Sequence, residues 1–217
     1  MNTDRRRLVL ALGLAPLAAP LTAFAKDPAP DSYIVIKPPM PVETPGKVNV
    51  IEFFWYGCPH CYDLEPLIEP WIKRLPSDVA FHRVPAVFNN PQWTHDAAVF
   101  YSLDALGFIP RLHRPLFNAI HQDHLETGDA AALHEWLRNK GVDVKKFDAA
   151  MTSFGVQSRV RRAQQLSVAY QIAGTPAMAV QGRYTVNLGG PINNFSKLLS
   201  VTDYLIGVAR KGMAGKG

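Results

Sequence analysis

Val48-Asn49-Val50-Ile51-Glu52-Phe53-Phe54-Trp55-Tyr56-Gly57-Cys58-Pro59-His60-Cys61 carries both the fold and the chemistry of this 217-residue chain. Val48 to Trp55 is an apolar run interrupted by Asn49 and Glu52, and its length and aromatic content predict a buried strand. A helix is predicted to start at Cys58-Pro59, because proline suits the first helical position, where its missing N–H costs nothing. It is expected to reach Leu75, kinked or broken at Pro66, whose ring opposes the carbonyl of Tyr62. Val79 to Phe88 alternates as a second strand, so the segment reads β-α-β, the opening of a parallel α/β sheet.

Upstream, residues 26–47 are proline-rich, with a short β-like run at Tyr33-Ile34-Val35-Ile36. Downstream the sequence turns helical. Thr94 is placed as the cap of a helix ending before Gly107, and Leu112, Leu116, Phe117 and Ile120 stripe a second. Asp129 to Lys140 forms a third, ending at Gly141, and Asp143 opens a fourth running to Ser153. Val156, Val160, Ala163 and Tyr170 recur at helical spacing and return the chain to the sheet. Ala177 to Val180 and Tyr184 to Val186 flank Gln181-Gly182-Arg183, a hairpin with glycine where positive φ is expected. Phe195, Leu198, Leu199, Thr202, Leu205 and Ile206 form one face of a closing helix.

The first 25 residues read as an address rather than as part of the fold. Arg5, Arg6 and Arg7 precede an apolar run from Leu8 to Leu21, and Ala23-Phe24-Ala25 predicts cleavage after Ala25. The run is short for a membrane span. Loss of three arginines and one aspartate would lower the formal charge from +5 to +3. The densest basic cluster, Arg159, Arg161 and Arg162, reads as a solvated helix face, so no nucleic-acid partner is expected. These features predict a soluble protein outside the reducing cytoplasm.

Cys58 and Cys61 are the only cysteines, which excludes a disulfide-stapled miniature fold and any all-cysteine metal site. Two cysteines separated by two residues at a helix start can close a small disulfide. The first lies where unpaired N–H groups and the helix dipole favour a thiolate, so Cys58 is read as the attacking sulfur. Cys61, one turn in, is shielded and suited to resolving a mixed disulfide. His60 adds a donor or a positive charge beside the first sulfur. Haem attachment would need histidine at position 62, which is tyrosine. Zinc would need two further ligands, and none of His82, His95, His113, His121, His124 or His134 pairs with a known module spacing, so no metal is expected. A purely structural disulfide would close too small a loop to stabilise much.

Glu52 to Tyr62 around Cys58-Pro59-His60-Cys61, the helical middle, and Gly174-Thr175-Pro176-Ala177-Met178 with Gln181-Gly182-Arg183-Tyr184 resemble the DsbA family of exported thiol:disulfide oxidants of Gram-negative bacteria. The resemblance implies a thioredoxin fold with an inserted all-helical domain: residues 26–92 and 157–217 forming the thioredoxin-like part and 93–156 the insert. It implies a periplasmic monomer whose Cys58–Cys61 disulfide, with no other cofactor, is donated to newly exported reduced or unfolded proteins. Reoxidation would come from a DsbB-like, quinone-linked membrane oxidase. Thr175-Pro176 matches the family's cis-proline position, where the family often has valine before the proline. Thr175 would offer its backbone to an extended substrate as an added strand; the plainer reading is a turn before a strand. Glu52 matches a buried acid that could relay a proton to or from Cys61, or could be a strand-end carboxylate satisfied by a neighbour. Glu65 is a further electrostatic candidate. Trp55 and Tyr56 are read as lining a substrate groove, and Pro59 completes the catalytic motif. Two other functions stay open on these residues: an isomerase or reductase on the same fold, and a holdase that binds unfolded chains near Trp55 and Tyr56.

Overall fold

A computed structural model describes residues 28–214, so the expected leader and its cleavage after Ala25 lie outside the described residues. Within them a mixed five-stranded sheet is built from β1 (Ile34–Val35), β2 (Val48–Phe54), β3 (Val79–Pro85), β4 (Ala177–Val180) and β5 (Tyr184–Asn187), in the order β1-β5-β4-β2-β3. β2 and β3 are parallel, joined by the crossover helix α1 (Pro59–Lys73), and the remaining pairs are antiparallel. Between β3 and β4 run α2 (Pro91–Ala105), α3 (Ile109–His121), α4 (Ala130–Asn139), α5 (Val144–Thr152) and α6 (Phe154–Ala169), and α7 (Phe195–Ala214) follows β5. The sheet thus takes strands from both sides of a wholly helical stretch.

The seven residues of β2 are all buried, so helices must cover both faces of the sheet. Val48 and Val50 join Leu64, Ile68 and Trp71 of α1 and Leu198 and Leu205 of α7 in one apolar cluster. Ile51 and Phe53 belong to a second, continuous with Phe100 and Leu103 of α2, Leu112, Leu116 and Phe117 of α3, and Val160 and Ala163 of α6. The Phe54 ring lies 5.2 Å from Phe100, 5.0 Å from His113 and 6.0 Å from Phe117, centroid to centroid. The last strand residue before the cysteines is therefore already packed against the inserted helices.

Several boundaries differ from the sequence expectation for local reasons. α1 passes through Pro66 and also Pro70, both on its exposed side, while Leu64, Ile68 and Trp71 hold the opposite face in the core. It stops at Lys73 rather than Leu75, since Pro76 disfavours helical backbone at the residue before it. β3 ends at Pro85 because β2 leaves the sheet beyond Phe54: the Phe54 carbonyl accepts from Ala86 N–H at 2.7 Å, and Val87 N–H turns to Ser167 Oγ at 3.1 Å. α2 is capped by Asn90, whose side chain accepts from Gln92 N–H at 2.8 Å with Pro91 at the first helical position, and not by Thr94.

The β4–β5 hairpin turns through Gln181 and Gly182, at φ 52° and 64°. A Cβ on residue 182 would strike the carbonyl of Met40, whose N–H already bonds the Gly182 carbonyl at 2.8 Å. Gly182→Ala is therefore expected to cost about 2 kcal/mol or more, combining left-handed backbone with a collision that no side-chain rotation relieves. A shift in the urea midpoint equivalent to less than about 0.5 kcal/mol would contradict this account of the turn.

Candidate active site

Cys58 caps α1 and Pro59 is its first residue, as the motif predicts. The Cys58 carbonyl accepts from Cys61 and Tyr62 N–H, each at 3.1 Å, closing the first helical turn. Both cysteines are free thiols and both are buried, Cys61 completely and Cys58 with 8% exposure. Cys58 Sγ donates to the carbonyl of Thr175 at 3.2 Å, and the Thr175–Pro176 peptide is cis. Thr175 therefore lies against the first sulfur, on the loop that leads into β4.

The two thiols are driven apart in acidity. The Cys61 thiol, donating to Cys58, is the largest influence holding the Cys58 pKa down to about 5; burial opposes it, and the Thr175 side chain and the backbone N–H groups of Cys61 and His60 add to it. Burial pushes Cys61 well above the ordinary thiol range, and the bond it makes to Cys58 pushes it further. His60 reaches the sulfur through its backbone; its ring is exposed and lies edge-on to Phe195 at 6.4 Å.

Beneath the cysteines lies a cluster of buried charge. β2 and β3 pair in a register that sets Arg83 beside Glu52, and Arg83 Nε meets Glu52 Oε2 at 3.0 Å. The same guanidinium reaches Glu65 Oε1 of α1 at 3.5 Å, and His113 Nε2 of α3 lies 3.4 Å from that oxygen. His113 Nδ1 bonds the Tyr56 hydroxyl at 2.9 Å. Burial raises both carboxyls while Arg83 opposes it, and burial followed by the Arg83 charge lowers His113 to about 3, leaving its imidazole neutral. With one guanidinium between two carboxyls, Glu52 does have a neighbour that pairs with one of its oxygens, but among the described residues Glu52 Oε1 and Glu65 Oε2 have no hydrogen-bond partner.

Trp55 and Tyr56 part company. Trp55 is half-buried, stacked on Trp93 with ring centroids 4.3 Å apart and planes at 12°, and its Nε1 donates to Asp96 Oδ2 at 2.7 Å. With Gly57, Asp96, Ile120 and Thr127 it lines a cleft of about 190 Å³ beside the motif. Tyr56, expected in the groove, is instead 1% exposed and faces the core, because His113 provides an interior partner for its hydroxyl. Among the described residues no group of three or more His, Cys, Asp or Glu could hold a metal ion. None of their helices is long and apolar enough to cross a membrane.

Residues 49–199 match the family model described as a DSBA-like thioredoxin domain. The chain is 39% identical over 207 residues to the thiol:disulfide interchange protein DsbA of Pseudomonas aeruginosa, spanning 93% of this chain and 95% of that one. The chain belongs to the DsbA family. The DsbA of Bordetella parapertussis is 42% identical over 212 residues, covering 97% of this chain and 99% of the relative. The crystal structure of Pseudomonas aeruginosa DsbA matches with a TM-score of 0.79 at 38% identity, covering 84% of this chain and 94% of that one. That of Xylella fastidiosa DsbA gives 0.76 at 32% identity, covering 83% and 96%. The fold is accordingly a DsbA-like thioredoxin fold, and the chain is a thiol:disulfide oxidoreductase.

Four residues of this DsbA-family site were not singled out as site residues by sequence: Arg83, Asp96, His113, and His121, whose Nε2 lies 2.8 Å from the Tyr56 carbonyl oxygen. Arg83 is one charge in an alternating strand. Asp96 is a single acid in the second turn of a helix. His113 and His121 lie two turns apart on α3, a spacing that puts them on one side of the helix and was the one available signal.

Proposed function

We propose that this chain acts in the periplasm as a monomeric protein disulfide oxidase, handing its Cys58–Cys61 disulfide to reduced exported proteins, with a DsbB-like quinone-linked membrane oxidase restoring it. The observation that carries this reading is the split in acidity between the two thiols. A client thiolate attacks Cys58 Sγ of the disulfide, a client–Cys58 bond forms, and Cys61 leaves with the electron pair. A second client thiolate then attacks the client sulfur and expels Cys58. The client gains a disulfide and the protein holds two more electrons. Cys58, at about 5, leaves as a stable thiolate and takes up no proton at pH 7. Cys61, held above the ordinary range, must take one. Glu52, buried with a raised pKa on the sheet below, is the acid we assign to supply it. Trp55 and Thr175 border the client's path, Thr175 offering backbone to an extended segment. Pro59 starts the helical turn from which the His60 and Cys61 N–H groups face the sulfur.

The test mixes the oxidised protein at pH 7 with a reduced, unfolded two-cysteine polypeptide, with Cys58→Ser as the blank. Client thiols are expected to disappear in proportion to protein disulfide, leaving Cys58 and Cys61 reduced. An equilibrium lying the other way, with the reduced protein opening client disulfides instead, would favour the reductase or isomerase reading. Client binding that persists in Cys58→Ser without any thiol loss in the unmodified protein would favour the holdase.

A further inference from the structure

Among the described residues, no strand pairs with the backbone between β2 and the first cysteine. After Phe54, the Trp55 carbonyl turns to accept Cys58 N–H at 3.0 Å, the bond that fixes where Cys58 enters α1. The next carbonyl belongs to Tyr56, which at 1% exposure is out of reach of bulk water, so it requires a donor from the protein. His121, the last residue of α3, provides it: Nε2 lies 2.8 Å from the Tyr56 oxygen. A carbonyl can only accept, so the ring proton sits on Nε2.

The same imidazole also lies face-on to Tyr62, with centroids 4.8 Å apart and planes at 15°. Tyr62 N–H is one of the two that close the first turn of α1 on the Cys58 carbonyl. One side chain of the inserted helices therefore grips the chain on both flanks of Cys58–Cys61, by a hydrogen bond before it and a stack after it. Its support is firm, because Leu112, Leu116 and Phe117 bury the same helix and His113, two turns earlier, bonds the Tyr56 hydroxyl.

We propose that His121 is a positioning residue for disulfide exchange: its hydrogen bond to Tyr56 fixes the turn that presents Cys58 to the N–H groups at the start of α1. Without that donor, the buried carbonyl must rotate toward water, and the Trp55-to-Cys58 bond rotates with it. The thiolate then loses alignment with the His60 and Cys61 N–H groups that hold it. The inference deepens the oxidase reading and rests on Cys58 being the attacking thiolate.

Two substitutions separate the two contacts. His121→Phe keeps an aromatic face for Tyr62 and removes the donor; His121→Gln removes the ring and keeps an N–H donor of similar reach. The readouts are the Cys58 midpoint, from the ultraviolet absorbance of the thiolate, and the equilibrium with glutathione. His121→Phe is expected to raise the midpoint by about one pKa unit and to move the equilibrium about tenfold toward the protein disulfide. His121→Gln should stay within a few tenths of a unit of the parent. A residue that only supported the fold would lower the melting temperature in both and leave both midpoints in place, and that result would overturn the proposal. So would equal shifts in the two variants. If His121→Phe does not fold, His121→Leu enters the same titration with the same two outcomes. If the parent itself shows no thiolate well below the ordinary thiol range, the oxidase reading is what fails.

Discussion

At pH 7 the reduced chain is expected to melt several degrees above its own disulfide form. The Cys58–Cys61 link closes so short a loop that it restricts the unfolded chain little, so the usual stabilisation by a disulfide is small here. Reduction, by contrast, releases a thiolate whose folded pKa, about 5, lies far below the ordinary value. A depressed pKa contributes stability that is complete above the unfolded value of about 8.5, still large at pH 7, and lost as pH falls through the folded value. Cys61 works in the opposite direction and in a different range. Its folded pKa is raised, so near pH 7 it is neutral in both states and contributes nothing; above about 8.5 the unfolded chain ionises and the folded one does not, which erodes stability. The gap between the two forms should therefore open as pH rises from about 5, level off near 8 to 9, and narrow again in stronger base. Each ~1 kcal/mol corresponds to ~2–4 °C in a chain of this size, so calorimetric scans of both forms at several pH values resolve the effect. An oxidised form that melts higher at pH 7 would contradict the thiolate geometry.

Arg83→Met is expected to cost about 3–5 kcal/mol. Among the described residues the guanidinium is the one counter-charge that forms an ion pair with both Glu52 and Glu65, whose side chains are 0% exposed. Removing it leaves two carboxyls that must either ionise uncompensated or hold protons. Their pKa values, already raised by burial, should rise further. For an acid whose folded pKa is above its unfolded value, stability is fully present below the unfolded value, about 4.3, and is lost as pH rises. The Arg83→Met deficit should accordingly be larger at pH 7 than at about pH 4, where the unfolded chain's carboxyls hold protons as well. Replacing Glu52, Glu65 and Arg83 together by apolar residues of similar volume should restore much of the loss, since no charge is then stranded. Denaturant midpoints for the single and triple variants decide it. A loss under about 1 kcal/mol for Arg83→Met would show that the cluster is reached by water.

The elements legible in the sequence were those governed by neighbours a few residues away. Pro59 marks the start of α1, Gly182 the hairpin, Asp129 and Asp143 the caps of α4 and α5, and the apolar run of β2 its burial. What was hidden depended on partners far along the chain. Glu52 could be seen as an oddity in an apolar strand, but its partner is decided by the parallel register that sets residue 83 beside residue 52. Tyr56 looked like a groove residue because aromatics near a reactive cysteine suggest a client surface. Its inward direction follows from α3, which places His113 where the hydroxyl ends. Asn90 displaced Thr94 as a cap because Pro91 fixes the first helical residue, a local signal present in the sequence.

The Phe54 ring, seated among Phe100, His113 and Phe117, also bears on how such a chain could be rebuilt. An insertion that folds by itself can be excised, swapped or fused elsewhere as a cassette. Here the strand that delivers the cysteines ends in a side chain whose neighbours come from α2 and α3, so a sheet stripped of those helices would expose that ring to water directly beneath its reactive loop. A chimera carrying helices from another source would inherit the burden of supplying matching rings at those positions, and its chemistry would register any mismatch, because the same helices hold the loop that carries the sulfur.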